Sequence, residues 1–256
     1  MFSTTEITSH EETSDNVIHQ RLLFAYIKAS EYIFGNVLEI GCGAGRGLET
    51  VLAHSEKYTA VDKNARLLDF LQKKYPKATF KAQQIPPLQN LPDNEFDWVI
   101  SFQVIEHIKD DHQYLKEIQR VLKSGGKAII TTPNILLSLT RNPWHVREYT
   151  AKELKSICEK YFSKAEVQGV QGSEPVMEYY ENNKESVKKI TRFDVLNLQY
   201  RLPRVMLQVP YDLLNRMNRK SLMNENDGLV KEITTADYFL IPEAEKAFDL
   251  FCVVEK

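Results

Sequence analysis

The most distinctive chemical feature of the sequence is a glycine-rich segment placed between two acids. Gly41, Gly43 and Gly45 directly follow a short, mostly apolar run that contains Glu39. Glycine adopts positive φ easily and has no Cβ, so a ligand can approach its backbone closely. A second short apolar run ends in Asp62, about 20 residues further on, where nucleoside-binding folds place an acid for the ribose hydroxyls. The pattern predicts a strand, a tight turn and a helix N-terminus that bind a nucleoside-containing ligand.

The spacing of the glycines distinguishes between two kinds of ligand. A dinucleotide pyrophosphate requires the pattern GxGxxG, and Arg46 occupies the third glycine position here. Glu39 suits a pyrophosphate poorly and a cationic amino acid group well. S-adenosyl-L-methionine carries both an ammonium group and a sulfonium, so we expect it to be the cofactor. An NAD-dependent oxidoreductase is a distant alternative, because Arg46 breaks the dinucleotide spacing.

A second group of candidate residues contains two histidines and an acid. Glu106 and His107 follow an apolar predicted strand over residues 96–102, and His145 follows the next predicted strand. Parallel strands end at the same edge of a sheet, so these side chains should lie near the cofactor. His107 or His145 is then a candidate general base for an acceptor hydroxyl. In the alternative interpretation, Glu106 only caps or braces its loop.

The order of the predicted elements defines the fold class. Helices alternate with strands from residue 37 to 170, which predicts an α/β fold with a parallel sheet wrapped on both faces. A helical pattern over residues 16–34 precedes the first strand. We expect one domain over residues 16–256, with residues 171–247 as an insertion or lid between the sixth and seventh strands. Residues 1–15 are polar and acidic, and we expect them to be flexible.

Length and composition narrow the class of protein further. The 256 residues are 43% hydrophobic, so we expect a sizeable core. The formal net charge is -2, so we do not expect a general affinity for nucleic acid. The cysteines lie far apart and show no zinc spacing, which favours a cytoplasmic location. We expect neither a signal peptide nor a transmembrane segment.

Three segments of the sequence resemble one known family. Residues 37–45 are similar to the first motif of class I S-adenosylmethionine-dependent methyltransferases. Residues 91–97, LPDNEFD, with a Glu-His pair shortly after them, resemble the LPDxxFD…EH stretch of the small-molecule branch of that family. Residues 122–126, LKSGG, resemble its LKPGG turn, with serine in place of the usual proline. The resemblance covers about residues 17–170 and the last strand.

The resemblance implies both a fold and a set of residue roles. The fold would be a Rossmann-like, doubly wound sheet of seven strands whose last strand is antiparallel. The activity would be in-line methyl transfer to a hydroxyl or an amine of a small or medium-sized acceptor. Gln84 stands where the family normally offers Asp or Asn to the adenine amine. The implied cofactor-binding residues are Glu39, Gly41, Gly43, Gly45, Asp62, Gln84, Phe102 and Gln103.

Alternatives stay open for the chemistry of the site. Glu106, His107 and His145, together with Gln103, resemble the metal-ligand set of small-RNA 3′-end 2′-O-methyltransferases. Gln103 replaces the first acid of that set and is a poorer ligand, so we expect no metal. An alternative that is not an enzyme also stays open: the protein would bind S-adenosyl-L-methionine without transferring a methyl group. The expected acceptor is a small molecule, such as a quinone precursor, a natural product or a lipid- or sugar-linked hydroxyl.

Three further expectations concern the surroundings of the site. Trp144 and Tyr149, with Phe102, would form an apolar wall around the sulfonium, or else pack locally in a capping loop. Arg21 would pair with the methionine carboxylate, or else lie on a solvated helix face. Helical patches rich in Lys and Arg lie between residues 183 and 219, and the stretch over residues 202–219 would form a substrate lid, a homodimer face or a membrane-surface helix.

Overall fold

The computed structural model describes residues 12–225 and 227–256, and a mixed sheet runs through this part of the chain. The strands are β1 (Asn36–Ile40), β2 (Lys57–Asp62), β3 (Thr79–Ala82), β4 (Phe96–Phe102), β5 (Leu122–Pro133), β6 (Lys164–Gly172), β7 (Tyr238–Ile241) and β8 (Asp249–Glu255). Their order in the sheet is β3-β2-β1-β4-β5-β8-β6-β7. The central strands β1 and β4 are almost wholly buried because their apolar side chains fill both faces of the sheet.

Helices pack on the sheet and form two hydrophobic clusters with it. One cluster contains residues of α1, α2, α3 and the insertion, and the other contains residues of α4 and α5. The helices are α1 (Asn16–Ser30), α2 (Leu48–Ala53), α3 (Ala65–Lys74), α4 (Asp111–Val121), α5 (Ala151–Cys158), α6 (Glu174–Thr191), α7 (Leu198–Arg201), α8 (Arg204–Glu225) and α9 (Asp227–Glu232).

Local sequence signals fix where several helices begin. The Asn64 side chain accepts a hydrogen bond from the Leu67 amide at the start of α3. Thr150 and Glu153 form the reciprocal capping box that their spacing predicts for α5. Each cap satisfies backbone amides that have no partner within the helix, so these helices begin at defined positions.

The sheet has its topological switch point at β1. This strand pairs in parallel with β2 on one side and with β4 on the other. Chain connections leave in opposite directions on the two sides, which opens a crevice at the carboxyl ends of the strands. The glycine loop after β1, Asp62 at the end of β2 and Phe102 at the end of β4 all face this crevice.

The sheet confirms the predicted fold class and differs from the prediction in strand number. β8 lies between β5 and β6 and is antiparallel to both, as predicted for the last strand. The described residues contain eight strands rather than seven. The additional strand, β7, belongs to the insertion and pairs Tyr238 with Gly172 of β6. β7 is a run of only four apolar residues, which is too short for the sequence alone to identify as a strand.

The predicted insertion is largely helical, and it packs against the first helix. The Asn16 side chain donates hydrogen bonds to the carbonyls of Val230, at 2.7 Å, and Ile233, at 2.9 Å. Residues 1–11 of the segment predicted to be flexible lie outside the described residues. Thr13–Asp15 form a short 3-10 helix. Among the described helices, none is both long enough and apolar enough to cross a membrane.

Candidate active site

The glycine loop has the backbone conformation that its sequence predicts. Gly41 has a φ of +78°, and a Cβ at this position would lie 2.4 Å from Cγ2 of Val104. Gly43 has a φ of +52° and open space where its Cβ would be. Positive φ and open space at the backbone are the conditions under which a ligand approaches a loop closely.

Asp62 ties the end of β2 to this loop. Its Oδ2 accepts a hydrogen bond from the Gly43 amide at 2.9 Å, and its Oδ1 accepts one from the Asn64 amide at 2.8 Å. Each carboxylate oxygen has a second lone pair available. Asp62 therefore holds the loop in place and can still accept bonds from ribose hydroxyls, so the residues present fit a nucleoside cofactor.

A cleft of about 700 Å³ opens beside the glycine loop and contains most of the predicted site residues. The cleft-lining residues that were predicted from sequence are Gly41, Gly43, Asp62, Gln84, Phe102, Gln103, His107 and His145. Among the described residues, this lining leaves out Glu39 and Gly45. The loop glycines nearest to β1 thus face the cleft, whereas Gly45 lies against Leu71 of α3.

Glu39 is buried in β1 and is engaged by two tyrosines. Its Oε1 accepts a hydrogen bond from Tyr26 at 2.7 Å, and its Oε2 accepts one from Tyr58 at 2.5 Å. Burial raises the pKa of Glu39, and the two tyrosine hydroxyls partly oppose this rise. The contacts connect β1 to α1 and β2, so Glu39 supports the loop from within the core rather than from the cleft.

Glu106 is the most unusual titratable group in the cleft. Its side chain is buried, Oε2 accepts a hydrogen bond from Thr132 at 3.0 Å, and Oε1 has no partner among the described residues. Burial raises the pKa of Glu106 to about 7, although nearby His145 and the Thr132 hydroxyl oppose the shift. A carboxyl group that titrates near neutral pH inside a cleft is a candidate acid or base.

The two predicted histidines lie close together near Glu106, with ring centroids 5.0 Å apart. His107 Nδ1 is 3.0 Å from the carbonyl oxygen of Trp144. A carbonyl can only accept, so Nδ1 carries the proton and Nε2 is the proton-accepting atom of the neutral ring. His145 Nδ1 is 2.6 Å from Glu148, and its Nε2 is 2.8 Å from the Asn142 amide nitrogen. Both ring nitrogens of His145 are thus engaged within its own loop.

The same residues could also bind a metal ion. Glu106, His107 and His145 each offer one ligand atom, and these three atoms lie within 4.8 Å of one another. One carboxylate and two imidazoles suit Zn²⁺ or another transition metal. The Asn142 amide donates to Nε2 of His145, so a metal at that nitrogen would have to displace this hydrogen bond.

The structure also reveals cleft residues that sequence patterns did not identify. Asp249, from the start of β8, is buried in the cleft wall, and its Oδ2 lies 3.1 Å from Nε of Arg21. Arg21 thus pairs with a carboxylate of the chain itself and also lines the cleft, so it does not lie on a solvated helix face. Burial raises the pKa of Asp249, and Arg21 partly opposes this rise. The two residues are far apart in sequence, so no local pattern signals their contact.

The predicted apolar wall is only partly present. Phe102 lines the cleft, but Trp144 donates its indole N–H to Asp212 at 3.0 Å, and Tyr149 donates its hydroxyl to Asp111 at 2.8 Å. These two aromatic side chains therefore fasten the loop that carries His145. The insertion supplies a wall instead, through Tyr179, Tyr180, Tyr211, Asn215 and Asn218.

Together, the switch-point crevice, the positive-φ glycine loop and the acid-ended second strand define a doubly wound domain with a nucleoside-cofactor site. Comparison with known proteins agrees with this class. A family model described as a methyltransferase domain matches residues 38–130. This range contains the glycine loop, Asp62 and Glu106 but neither α1 nor the insertion.

Curated relatives are similar to part of the chain. A "probable S-adenosylmethionine-dependent methyltransferase" of Mycobacterium tuberculosis is 35% identical over 146 residues, which are 55% of this chain and 51% of that protein. A similarly named protein of Mycolicibacterium smegmatis is 34% identical over 148 residues, 56% of this chain and 55% of that protein. A ubiquinone biosynthesis O-methyltransferase of Coxiella burnetii is 27% identical over 103 residues, 39% of this chain and 44% of that protein. The chain spans about half the length of the curated relatives it matches.

Solved structures share the fold over most of the chain. A possible histamine N-methyltransferase from Thermotoga maritima has a TM-score of 0.60 at 16% identity, covering 94% of this chain and 91% of that one. The [4+2]-cyclase SpnF has a TM-score of 0.54 at 15% identity, covering 93% of this chain and 81% of that one. At such identities the similarity establishes the fold alone. Over residues 38–130 the chain is therefore similar to S-adenosylmethionine-dependent methyltransferases, and its glycine loop and Asp62 suit S-adenosyl-L-methionine as the cofactor.

Proposed function

We propose that the protein transfers a methyl group to a hydroxyl or an amine of a small or medium-sized acceptor bound beside Glu106 and His107. The observation that supports this most directly is Oε1 of Glu106, which is buried, has no partner among the described residues and lies in the same cleft as the glycine loop. A buried carboxylate oxygen without a hydrogen bond is costly. The O–H or N–H of an acceptor would satisfy it.

A second carboxylate supports the same proposal. Asp249 Oδ1 is also buried in the cleft wall and lacks a partner among the residues described. An acceptor with two hydrogen-bond donors would satisfy both Glu106 and Asp249. Two buried acceptor atoms in one cleft favour a polar acceptor over a purely apolar one.

Each group of the chain has a defined task in this proposal. S-adenosyl-L-methionine supplies an electrophilic methyl group when it is bound. The glycine loop and Asp62 position the cofactor, and the insertion excludes water from the cleft, which leaves alignment as the main contribution of the enzyme. Glu106 or His107 accepts the acceptor's proton. Insertion residues 171–247 thus act as a lid of the methyltransferase domain over residues 16–256.

Cofactor binding provides the first test. Calorimetric titration with S-adenosyl-L-methionine or S-adenosylhomocysteine should give a single site. Asp62→Asn should weaken binding by about 10–100-fold, the usual effect of losing a hydrogen bond to a charged group. Asp69→Asn, at an exposed position on α3, is the matched control and should bind like the wild type. Absence of binding to the wild type would disprove the proposal.

Methyl transfer provides the second test and separates the proposal from a cofactor-binding protein without activity. A labelled methyl donor should be consumed with a panel of catechol, sugar and amine acceptors, and hydroxylated acceptors should react fastest. Glu106→Gln should lose transfer while it retains cofactor affinity. Binding of the cofactor with no transfer to any member of the panel would favour the non-catalytic alternative.

A metal-assisted reaction at a ribose hydroxyl is the second candidate function. The observation that favours it is the set of ligand atoms of Glu106, His107 and His145 within 4.8 Å of one another. This alternative expects activity on RNA 3′ ends to fall on treatment with chelator and to return with Zn²⁺ or Mg²⁺. Chelator-resistant activity on small acceptors would support the first function.

A further inference from the structure

The insertion exposes an unusually apolar surface on α8. At intervals of about one helical turn, a large apolar side chain of α8 is exposed. We call these residues the α8 stripe: Val205 (77% exposed), Met206 (61%), Val209 (77%), Leu213 (60%) and Met217 (60%). The preceding residues continue the surface, with Phe193, Val195, Leu196 and Tyr200 all largely exposed. Contiguous exposed apolar surface of this kind marks an interaction site.

The opposite face of α8 is already used by the cleft. Tyr211, Asn215 and Asn218 line the cleft, and Leu222 is buried below them. At about 100° per residue, these positions lie roughly half a helical turn away from the α8 stripe. The helix therefore has one face that packs on its own domain and another that remains uncovered among the described residues.

The charges around the α8 stripe have one sign. The exposed charged side chains between residues 188 and 220 are Lys188, Lys189, Arg192, Arg201 and Lys220. The two acids of this range are less exposed and are bonded within the fold. Asp194 accepts from the Leu198 amide at 2.7 Å, and Asp212 accepts from Trp144 at 3.0 Å. A basic, apolar surface thus occurs in a chain whose formal net charge is -2.

We propose that residues 188–220 dock on the surface of an anionic lipid bilayer. The α8 stripe would enter the interface between headgroups and acyl chains, and the lysines and arginines beside it would contact lipid phosphates. A second copy of this chain fits the surface less well, because a two-fold interface would bring the same basic side chains face to face. No described helix can span a membrane, so docking would occur at the surface. The proposal does not depend on methyl transfer.

Vesicle flotation with the full-length protein tests this proposal. The probes are vesicles of phosphatidylcholine alone and vesicles of phosphatidylcholine with an equal part of phosphatidylglycerol. We expect the protein to float with the mixed vesicles, to bind the neutral vesicles much more weakly and to be released by added salt. The double variant Val209→Glu/Leu213→Glu should bind the mixed vesicles at least about tenfold more weakly, because anions replace two inserted apolar side chains.

Matched variants make the result specific. Lys188→Glu/Lys189→Glu should also weaken binding to the mixed vesicles, whereas Phe70→Glu, on the exposed surface of α3, should bind like the wild type. All substituted side chains are exposed, so melting temperatures should remain close to that of the wild type. The proposal is overturned if the wild type does not float with the mixed vesicles, or if Val209→Glu/Leu213→Glu floats as well as the wild type. A dimer in light scattering that only Val209→Glu/Leu213→Glu dissociates, without vesicle binding, would instead show that a second copy covers the stripe.

Discussion

At the scale of single residues, the protonation of Glu106 should connect activity to pH. Its pKa is raised to about 7, so a substantial fraction of the carboxyl groups is protonated near neutral pH. Only the deprotonated form can accept a proton, and the rate of methyl transfer should therefore rise with pH and level off above about pH 7. We expect Glu106→Gln to lower kcat/KM by about 100-fold or more and to remove this dependence.

The measurement is a profile of kcat/KM against pH for the wild type and two variants. His107→Asn tests the other candidate base, since the Nε2 atom of a neutral His107 ring is also a proton acceptor. If His107→Asn loses the pH dependence and Glu106→Gln keeps it, the base is His107 and the assignment to Glu106 is wrong. Equal cofactor affinity in both variants excludes a simple loss of the binding site.

The same carboxyl group should make the free energy of unfolding depend on pH. Its pKa rises from an ordinary 4.5 to about 7 on folding, so the folded state binds this proton more tightly than the unfolded chain does. The resulting stabilisation is fully present below about pH 4.5 and is lost as the pH rises through about 7. The size of the shift corresponds to roughly 3 kcal/mol.

We therefore expect wild-type protein to lose more stability than Glu106→Gln as the pH is raised from mildly acidic to mildly alkaline. Urea unfolding at both pH values measures the difference. Glu166→Gln, on an exposed side chain, is the control and should follow the wild type. A parallel fall in the wild type and Glu106→Gln would mean that this carboxyl group does not titrate differently in the folded state.

The residue scale also shows where sequence reasoning reached its limit. Asp62 and the glycines could be identified because their spacing along one short segment carries the signal. The contact between Arg21 and Asp249 could not, because it joins the first helix to the last strand. The sequence also left the roles of Trp144 and Tyr149 open between an apolar wall and packing in a capping loop, because their hydrogen-bond partners lie on distant elements.

At the scale of elements, the turn between β1 and α2 depends on steric space as well as on backbone conformation. Ala at position 41 would combine a φ of +78° with a Cβ 2.4 Å from Val104. Ala at position 43 would face only the cost of a positive φ, because open space surrounds it. We expect Gly41→Ala to be less stable than Gly43→Ala by about 1–3 kcal/mol, the usual penalty of overpacking.

Urea unfolding of the two variants measures this difference, and a third variant isolates its cause. Combining Gly41→Ala with Val104→Ala removes the clash and should recover the steric part of the loss, but not the part due to positive φ. If the combined variant is no more stable than Gly41→Ala, the space beside Val104 is not what requires glycine. The whole loss of stability in Gly41→Ala would then come from the positive φ at this position.

Prediction from sequence worked best for elements with strong local patterns. β1, β2 and β4 were recognised from continuous apolar runs, and the start of α5 from its capping box. β7 was missed although its residues, Tyr238–Ile241, are all apolar, because so short a run does not distinguish a strand from other buried structure. Its position is decided by pairing with β6, which is a property of the tertiary structure.

At the scale of the whole molecule, the cleft is built from parts that are distant in sequence. The loops after the central strands form its floor, α1 forms one side, and the insertion forms another. Asn16 joins these last two walls, because its side chain donates to the carbonyls of Val230 and Ile233. The matched methyltransferase region, residues 38–130, contains neither wall, so similarity in that region predicts the cofactor site better than the acceptor site.

The joined walls lead to a prediction about cooperativity. Asn16→Ala leaves two carbonyls without their donor and should cost about 1–3 kcal/mol. If α1 and the insertion open together, hydrogen exchange should quicken in both α1 and α9, while the central strands keep their protection. Gln20→Ala, which removes only a bond to the Asn16 side chain at 3.0 Å, should have a much smaller effect. Faster exchange confined to α1 would show that the walls open independently, and the acceptor could then enter past α1 without any movement of the lid.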